Sequence, residues 1–177
     1  MKIYIACGLT HVPRSEFNEY VSFINELAVR LNAESATSVR YALRDSDPQL
    51  AEKPFSERAR LCYLWDREMV EWSDVVIAEA SFPSIGLGIE LQIAEAKDIP
   101  IIIAFKQSLD HKAAPVAYRT PEGKTHSLQL GEGYVSLMAL GMPSVFKTIP
   151  YHDVCDAYQK LAEAVGLLGR GTGKGET

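Results

Sequence analysis

Four residues at close spacing suit the binding of a phosphorylated sugar. Ser84 is followed by Gly86 and Gly88, and Glu90 comes four residues after Gly86. If a helix begins here, its free N–H groups and partial positive charge favour a phosphate, and the glycines leave the backbone open to a ligand. Glu90 would then lie on the same face one turn further along, where its carboxylate could reach the sugar.

A purely structural interpretation explains this spacing equally well. Gly86 and Gly88 would then allow close helix packing, and Glu90 would be a surface residue. The pattern is not the dinucleotide fingerprint, because Leu91 stands where the third glycine is required. The chain contains no Walker A sequence either.

Asp66 is the second carboxylate of interest. On a helix it would neighbour Cys62 and Met69, at the border of an apolar stripe. The pattern alone favours an ordinary residue at the rim of a core over a placed functional group. Two carboxylates near one sugar would suit glycosidic chemistry, in which one attacks the anomeric carbon and the other handles protons or a sugar hydroxyl.

Alternating strands and helices are predicted to position these residues. The predicted strands are 3–7, 38–41, 74–78, 100–105 and 145–149, and the predicted helices are 15–31, 56–72, 86–97 and 151–168. This order predicts an α/β fold, a doubly wound, mostly parallel five-stranded sheet of the Rossmann-like or flavodoxin-like kind with helices on both faces. Ligands bind beyond the carboxyl ends of such strands.

The predicted organisation is a single domain over residues 1–168, with an insertion at about 106–143 and a flexible, glycine-rich tail at 169–177. The polar segment 44–53 is predicted to be a loop, and 120–124 a hairpin turn. The insertion is too long for a simple connection. We expect it to cover the site or to join a partner subunit.

Composition excludes several classes of partner. The 177 residues carry a net charge of −5, which gives no general attraction to a nucleic acid polymer or to an anionic membrane. No apolar run has the length of a membrane span, and the N-terminus lacks the layout of a signal peptide. The three cysteines are far apart and form no CxxC motif, which predicts reduced thiols in a cytoplasmic protein.

The region around these carboxylates resembles the nucleoside 2-deoxyribosyltransferase family. Asp66 precedes the pattern D-V-V-x-A-E…P-S-x-G-x-G-x-E over residues 74–90, which is similar to the core of that family and most resembles its branch of 2′-deoxynucleoside 5′-monophosphate N-glycosidases. The beginning of the chain, K-I-Y-I-A-C-G-L, resembles the family's first strand and glycine turn. The similarity covers most of residues 1–105 and, more loosely, 134–165.

This resemblance implies a role for several residues. Glu90 matches the nucleophilic glutamate that forms a covalent deoxyribosyl intermediate. Asp66 matches an aspartate that helps to protonate the leaving base or holds the sugar. The residues that match the contacts to the 5′-phosphate are Ser84, Gly86 and Gly88.

Ser136 resembles a serine that the hydrolases lend to the phosphate site of the neighbouring subunit, although an ordinary strand or helix serine explains this short match equally well. If the match holds, the enzyme is a homodimer with a shared active site.

The turn after the first strand departs from the family pattern. The hydrolases have a glycine- and arginine-rich loop there, whereas this chain continues from Gly8 with L-T-H-V-P-R. We take Gly8, Thr10, His11 and Arg14 as candidate substrate-binding residues, with a solvated turn as the alternative for Arg14. The family's aromatic residue on this strand could correspond to Tyr4, although alignment on Gly8 places Ile5 there.

The expected function is therefore hydrolysis of the N-glycosidic bond of a (2′-deoxy)nucleoside 5′-monophosphate through a Glu90 intermediate, with no metal and no organic cofactor. Two alternatives stay open. A deoxyribosyltransferase would exchange bases between unphosphorylated nucleosides. A nucleotide-binding sensor without catalytic activity would keep Ser84, Gly86 and Gly88 without needing Glu90 and Asp66.

Overall fold

The computed structural model describes residues 1–171 and is built around a parallel sheet. The strands are β1 (Lys2–Cys7), β2 (Ser38–Tyr41), β3 (Val75–Glu79), β4 (Ile101–Lys106), a hairpin of β5 (Ala117–Arg119) and β6 (Thr125–Ser127), and β7 (Val145–Tyr151). The central sheet has the order β2–β1–β3–β4–β7, and each neighbouring pair runs parallel. The predicted doubly wound α/β class is confirmed.

Helices cover both faces of this sheet. They are α1 (Phe17–Asn32), α2 (Ala42–Asp45), α3 (Asp47–Leu50), α4 (Phe55–Trp72), α5 (Ile85–Glu95), α6 (Leu137–Leu140) and α7 (Val154–Gly171). On one face α1 and α7 pack against side chains such as Ile5 and Ile77. On the other face α4 and α5 pack against the alternate strand residues, which include Tyr4 and Ala78. This alternation decides which strand residues can reach α5.

The segment predicted as a loop at 44–53 contains helical turns instead. The backbone N–H of Tyr41 donates to Asp45 Oδ2 at 3.0 Å, which ties the end of β2 to α2. Ser46 follows directly, with its N–H donating to the Ala42 carbonyl at 3.1 Å, and Pro48 lies in the first turn of α3. The polar composition that predicted a loop supplies these local hydrogen bonds, which order the chain into two short helices.

The insertion contains a 3₁₀ turn (Leu109–His111), the hairpin and α6. The predicted turn at 120–124 is present, with the Thr120 N–H donating to the Lys124 carbonyl at 2.9 Å. At the C-terminus α7 continues to Gly171, so residues 169–171 are helical rather than part of a tail. The rest of the predicted tail, 172–177, lies outside the described residues. No helix within residues 1–171 is both long and apolar enough to cross a membrane.

Candidate active site

Ser84 caps the start of α5 at the carboxyl edge of the sheet. Its Oγ accepts a hydrogen bond from the Leu87 N–H at 3.2 Å, as an N-cap serine does. Because a hydroxyl that accepts one bond still has a proton to donate, Ser84 can also donate to an anion. The helix end therefore offers a hydroxyl donor beside N–H groups that lack partners within the helix.

Gly8 brings the first turn of the chain against this helix end. A Cβ atom at Gly8 would lie 2.6 Å from Ser84 Cβ, far inside the normal contact distance. Glycine therefore allows the β1–α1 turn to approach the start of α5. The structure gives this predicted binding residue a packing role next to Ser84.

Gly86 and Gly88 are exposed, and packing does not explain them. A Cβ at Gly86 would meet Ser84 Oγ at 3.6 Å, an ordinary contact, and a Cβ at Gly88 would meet nothing within 4 Å. The interpretation that these glycines serve close helix packing is therefore wrong. They leave the first turns of α5 open on the outer side, as ligand binding at the helix end requires.

Glu90 is a buried carboxylate one turn into the same helix. It is 8% exposed, so the interpretation as a surface residue is wrong. The Tyr4 hydroxyl donates to Glu90 Oε1 at 2.5 Å. Tyr4 thus faces α5, while Ile5 belongs to the core on the opposite face of the sheet.

Asp66 lies on α4, half-buried, and its charge acts on both Tyr4 and Glu90. The Ser46 hydroxyl donates to Asp66 Oδ1 at 2.8 Å, and the Cys62 thiol donates to Oδ2 at 3.3 Å. Ser46 itself is 1% exposed and comes from the turn between α2 and α3. Both oxygens of Asp66 are thus held by donors from this chain.

Both carboxyl groups have raised pKa values, and the charge of Asp66 contributes to that of Glu90. Burial, and to a lesser extent the charge of Asp66, raises the pKa of Glu90 to about 8, although the Tyr4 hydroxyl acts in the opposite direction. Burial also raises the pKa of Asp66, against the hydrogen bonds from Ser46 and Cys62. At neutral pH Glu90 therefore holds a proton, so this pair can both store a proton and supply a carboxylate.

A cleft of about 1040 Å³ runs along the other side of α5. Ser84 and Gly88 line it on the helix side, while Ser136 and Tyr134 line it on the side of the insertion. Glu90 projects from the opposite side of α5, since two residues of helix separate it from Gly88. The cleft therefore comes close to Glu90 and Asp66 only at the start of α5.

The candidates in the first turn are spread over the surface. Thr10, His11 and Arg14 are exposed. His11 lines the cleft together with Ser84. The guanidinium of Arg14 lies 5.8 Å from the centre of the Phe17 ring. His11 is therefore near the helix end, whereas Arg14 lies in the turn before α1, over the ring of its first residue.

Ser136 caps α6, with its Oγ accepting a hydrogen bond from the Met138 N–H at 3.2 Å. It is exposed and lines the same cleft as Ser84 of its own chain. A site shared between subunits stays a prediction. Within residues 1–171 no group of three or more His, Cys, Asp and Glu residues is arranged to hold a metal ion.

Sequence reasoning assigns no site role to three polar residues, Tyr4, Ser46 and Glu79. Tyr4 and Glu79 belong to segments that resemble the family, whereas nothing in the sequence points to Ser46. Ser46 lies in a segment of polar residues that resembles any surface loop. Glu79 lies at the end of a buried strand, and a carboxylate at such a position was a signal that could have been used, because it is costly to bury without donors.

The comparisons with known proteins show a partial sequence similarity and a shared fold. A segment of 60 residues is 32% identical to the protein named "Putative 2'-deoxynucleoside 5'-phosphate N-hydrolase 1" from Syntrophotalea carbinolica. This match covers 34% of the chain and 42% of the relative, so it spans less than half of the relative's length. No family model matches the chain.

Two solved structures superpose over most of the chain. The CMP N-glycosidase from Clostridium botulinum has a TM-score of 0.54 and 17% identity, over 92% of this chain and 98% of that chain. The chain shares the fold of this N-glycosidase. A conserved protein from Enterococcus faecalis V583 has a TM-score of 0.55 and 16% identity, over 92% of this chain and 97% of that chain. The predicted resemblance is thus confirmed as a partial sequence similarity and a common fold.

Proposed function

We propose that this protein hydrolyses the N-glycosidic bond of a (2′-deoxy)nucleoside 5′-monophosphate and releases the free base and the sugar 5-phosphate. The observation that carries this proposal is a buried carboxylate, Glu90, one turn beyond an open helix end that is capped by Ser84. An anion at the helix end and a sugar carbon at the carboxylate are the two parts of a sugar phosphate. The partial similarity to an N-hydrolase supports the same chemistry.

The carboxylate pair supplies the proton that the leaving base needs. The pKa of Glu90, raised to about 8 mainly by burial, keeps a proton on Glu90 in the substrate-free protein at neutral pH. When the substrate binds, this proton passes to Asp66, whose pKa burial also raises. Glu90 then carries the negative charge needed for attack.

In the first step an oxygen of Glu90 forms a bond to C1′ while the C1′–N bond breaks. Asp66 gives its proton to the departing base, so the base leaves in neutral form. In the second step water attacks C1′, Asp66 accepts a proton from that water, and the ester bond to Glu90 breaks. The proton then returns to Glu90 as the sugar phosphate leaves. No metal or organic cofactor takes part in these steps.

Ser84 and the N–H groups at the start of α5 bind the 5′-phosphate in this proposal. The exposed glycines Gly86 and Gly88 allow the phosphate to approach the backbone. His11 lines the same cleft as Ser84, so its imidazole can also form a hydrogen bond to the phosphate. This arrangement favours nucleotides over unphosphorylated nucleosides.

We also propose that two copies of the chain form a homodimer in which Ser136 of each copy reaches the phosphate site of the other. The cleft of about 1040 Å³ is larger than one nucleotide needs. Exposed apolar side chains lie beside it, at Ile85 on α5 and at Leu137 and Met138 on α6. A segment of a second copy would fill the cleft and cover these side chains.

The proposed reaction can be tested by incubating the protein with nucleoside 5′-monophosphates and with the matching nucleosides. Release of free base, followed by chromatography, is expected from monophosphates only. Base exchange between nucleosides would identify a deoxyribosyltransferase instead. Binding without turnover would identify a sensor.

Glu90→Gln is the decisive variant for the nucleophile, because it keeps the size of the side chain and removes the attacking oxygen charge. We expect base release to fall by about a thousandfold or more. Glu95→Gln, at the end of the same helix, is a matched control and should keep the activity. Full activity in Glu90→Gln would rule out the covalent intermediate.

A further inference from the structure

A second buried carboxylate, Glu79, lies on the opposite face of the sheet from Glu90. It ends β3 and is 0% exposed. In the parallel register it pairs with Cys7 of β1, the residue before Gly8. The proposed reaction makes no use of Glu79, so its complete burial needs another explanation.

Four hydrogen-bond donors converge on the two oxygens of Glu79. The Tyr151 hydroxyl donates at 2.7 Å and the Ser81 N–H at 3.2 Å, and the hydroxyls of Tyr20 and Ser81 also donate. These donors come from α1, from the end of β7 and from the segment between β3 and α5. All four donors are neutral hydroxyl or backbone N–H groups.

Ser81 extends the cluster to one more strand. Its Oγ accepts a hydrogen bond from the Lys106 N–H at 2.7 Å, at the end of β4. The Ala80 N–H, next to it, donates to the Ala104 carbonyl at 2.8 Å. The chain is thus held at Ser81 by its own hydroxyl and backbone, three residues before the helix cap at Ser84. Phe82, also buried, packs against Tyr20 with ring centres 5.0 Å apart.

We infer that Glu79 is a positioning residue, which holds Ser81 and thereby places Ser84 and the start of α5 for phosphate binding. The geometry requires it to act through Ser81, because Glu79 lies on the face of the sheet away from α5. The Glu79 cluster, defined as Glu79 with Tyr20, Ser81 and Tyr151, therefore determines where the substrate's phosphate rests. This inference rests on the proposed function, since it assigns the start of α5 to the 5′-phosphate.

The variants Tyr151→Phe and Ser81→Ala each remove a donor to Glu79 without removing the carboxylate. We expect KM for a nucleoside 5′-monophosphate to rise about tenfold and kcat to change less than about threefold. Ser81→Thr keeps the hydroxyl, so its KM should lie close to that of the wild-type protein. Glu79→Gln should raise KM more than either Tyr151→Phe or Ser81→Ala. The NH2 group of the glutamine would face a hydroxyl or N–H group that also donates, so that group would lose its acceptor.

Matched controls separate positioning from a loss of stability. Tyr158→Phe removes a tyrosine hydroxyl that donates to Glu34 on the surface, and Ser73→Ala removes a buried serine hydroxyl that donates to the Val70 carbonyl. Both should leave KM unchanged. If Tyr151→Phe and Ser81→Ala only lower the melting temperature, and KM matches that of the controls, the inference is overturned.

Direct binding keeps the inference testable if the proposed reaction fails. Should the wild-type protein release no base from any substrate, the affinity for a nucleoside 5′-monophosphate is measured by calorimetry. Weaker binding by Ser81→Ala than by Ser73→Ala, with faster hydrogen exchange at 81–88, would support the positioning role. Equal affinities and equal exchange rates would contradict it, whatever reaction the protein catalyses.

Discussion

Glu90 lies in surroundings that favour its protonated form. Burial raises its pKa to about 8, whereas the hydrogen bond from Tyr4 favours the ionised form and acts in the opposite direction. The proposed reaction needs the proton that Glu90 holds in the free protein, because Asp66 later passes it to the leaving base, so the free protein loses competence as the pH rises through this value. The surroundings of a single side chain therefore set a pH dependence for the whole reaction.

We expect kcat/KM to fall as the pH rises above about 8, because kcat/KM reports the ionisation of the free protein and the proton on Glu90 is lost in this range. Tyr4→Phe removes the hydrogen bond that favours the Glu90 carboxylate, which raises the pKa of Glu90 further, so the fall should move to higher pH. The measurement is the pH profile of base release by both proteins. Identical profiles would show that Tyr4 does not affect the ionisation of Glu90.

Ser84 combines two roles that substitutions can separate. Ser84→Ala removes the cap and the hydroxyl, so we expect a loss of about 1 kcal/mol in the free energy of unfolding. The same change should raise KM for a monophosphate about tenfold, because a hydrogen bond to a charged group is lost.

Ser84→Asp keeps a side chain that caps the helix but places a negative charge beside the phosphate. The free energy of unfolding should stay near that of the wild type, while monophosphate turnover should almost disappear. Urea denaturation and steady-state kinetics measure the two effects. Retained monophosphate turnover in Ser84→Asp would show that the phosphate does not bind at this helix end.

At the scale of elements, the site depends on the approach of the β1–α1 turn to the start of α5. Gly8 lies where a Cβ would come within 2.6 Å of Ser84 Cβ, whereas Gly88 has open space around it. Gly8 and Gly88 therefore differ in whether a larger side chain could be accommodated. One is needed for packing between elements, and the other leaves a helix surface free.

We expect Gly8→Ala to destabilise the protein by about 1–3 kcal/mol, because the added methyl group displaces the start of α5. Gly88→Ala should instead stabilise the helix by up to about 1 kcal/mol, since alanine favours a helix interior over glycine. Thermal or urea unfolding of the two variants checks this contrast. A stability for Gly8→Ala equal to that of wild type would mean that the turn can move away from Ser84.

Elements also explain which predictions succeeded. The buried strands and the long helices were predicted within a few residues, because their apolar patterns have a clear period. The helical turns α2 and α3 were missed, since they depend on single hydrogen bonds such as the one from Ser46 to the Ala42 carbonyl. That segment matters because it delivers the Ser46 hydroxyl to Asp66.

At the scale of the whole molecule, the arrangement of subunits decides whether one chain can make a complete site. Mixing two defective proteins tests this. Glu90→Gln lacks the proposed nucleophile, and Ser136→Asp would place a negative charge near the phosphate. If sites are shared, a mixed dimer contains one site with both residues intact.

We expect each variant alone to be nearly inactive and the mixture to recover about a quarter of the wild-type activity after subunit exchange. Kinetics before and after exchange measure this recovery, and the mass of the assembly in solution shows whether a dimer is present. No recovery in a mixture that forms dimers would place Ser136 in the site of its own chain. This result would leave the proposed reaction intact.

The amino-acid sequence by itself determined the class of fold and the positions of the main candidates. Strand and helix periodicities, and the linked pattern that contains Ser84 and Glu90, are local properties of the chain, so they can be identified without a structure. The net charge of −5 likewise excluded a general affinity for polyanions and left a small phosphate as the plausible anion.

Only the tertiary structure decided which side chains meet. The pairing of Tyr4 with Glu90, the donors around Asp66 and the four donors on Glu79 join residues that are from 2 to 86 positions apart in the chain. Such contacts follow from the parallel order of the strands and from which face of the sheet each residue occupies. The local pattern names candidate residues, but burial and long-range packing decide their protonation and their roles.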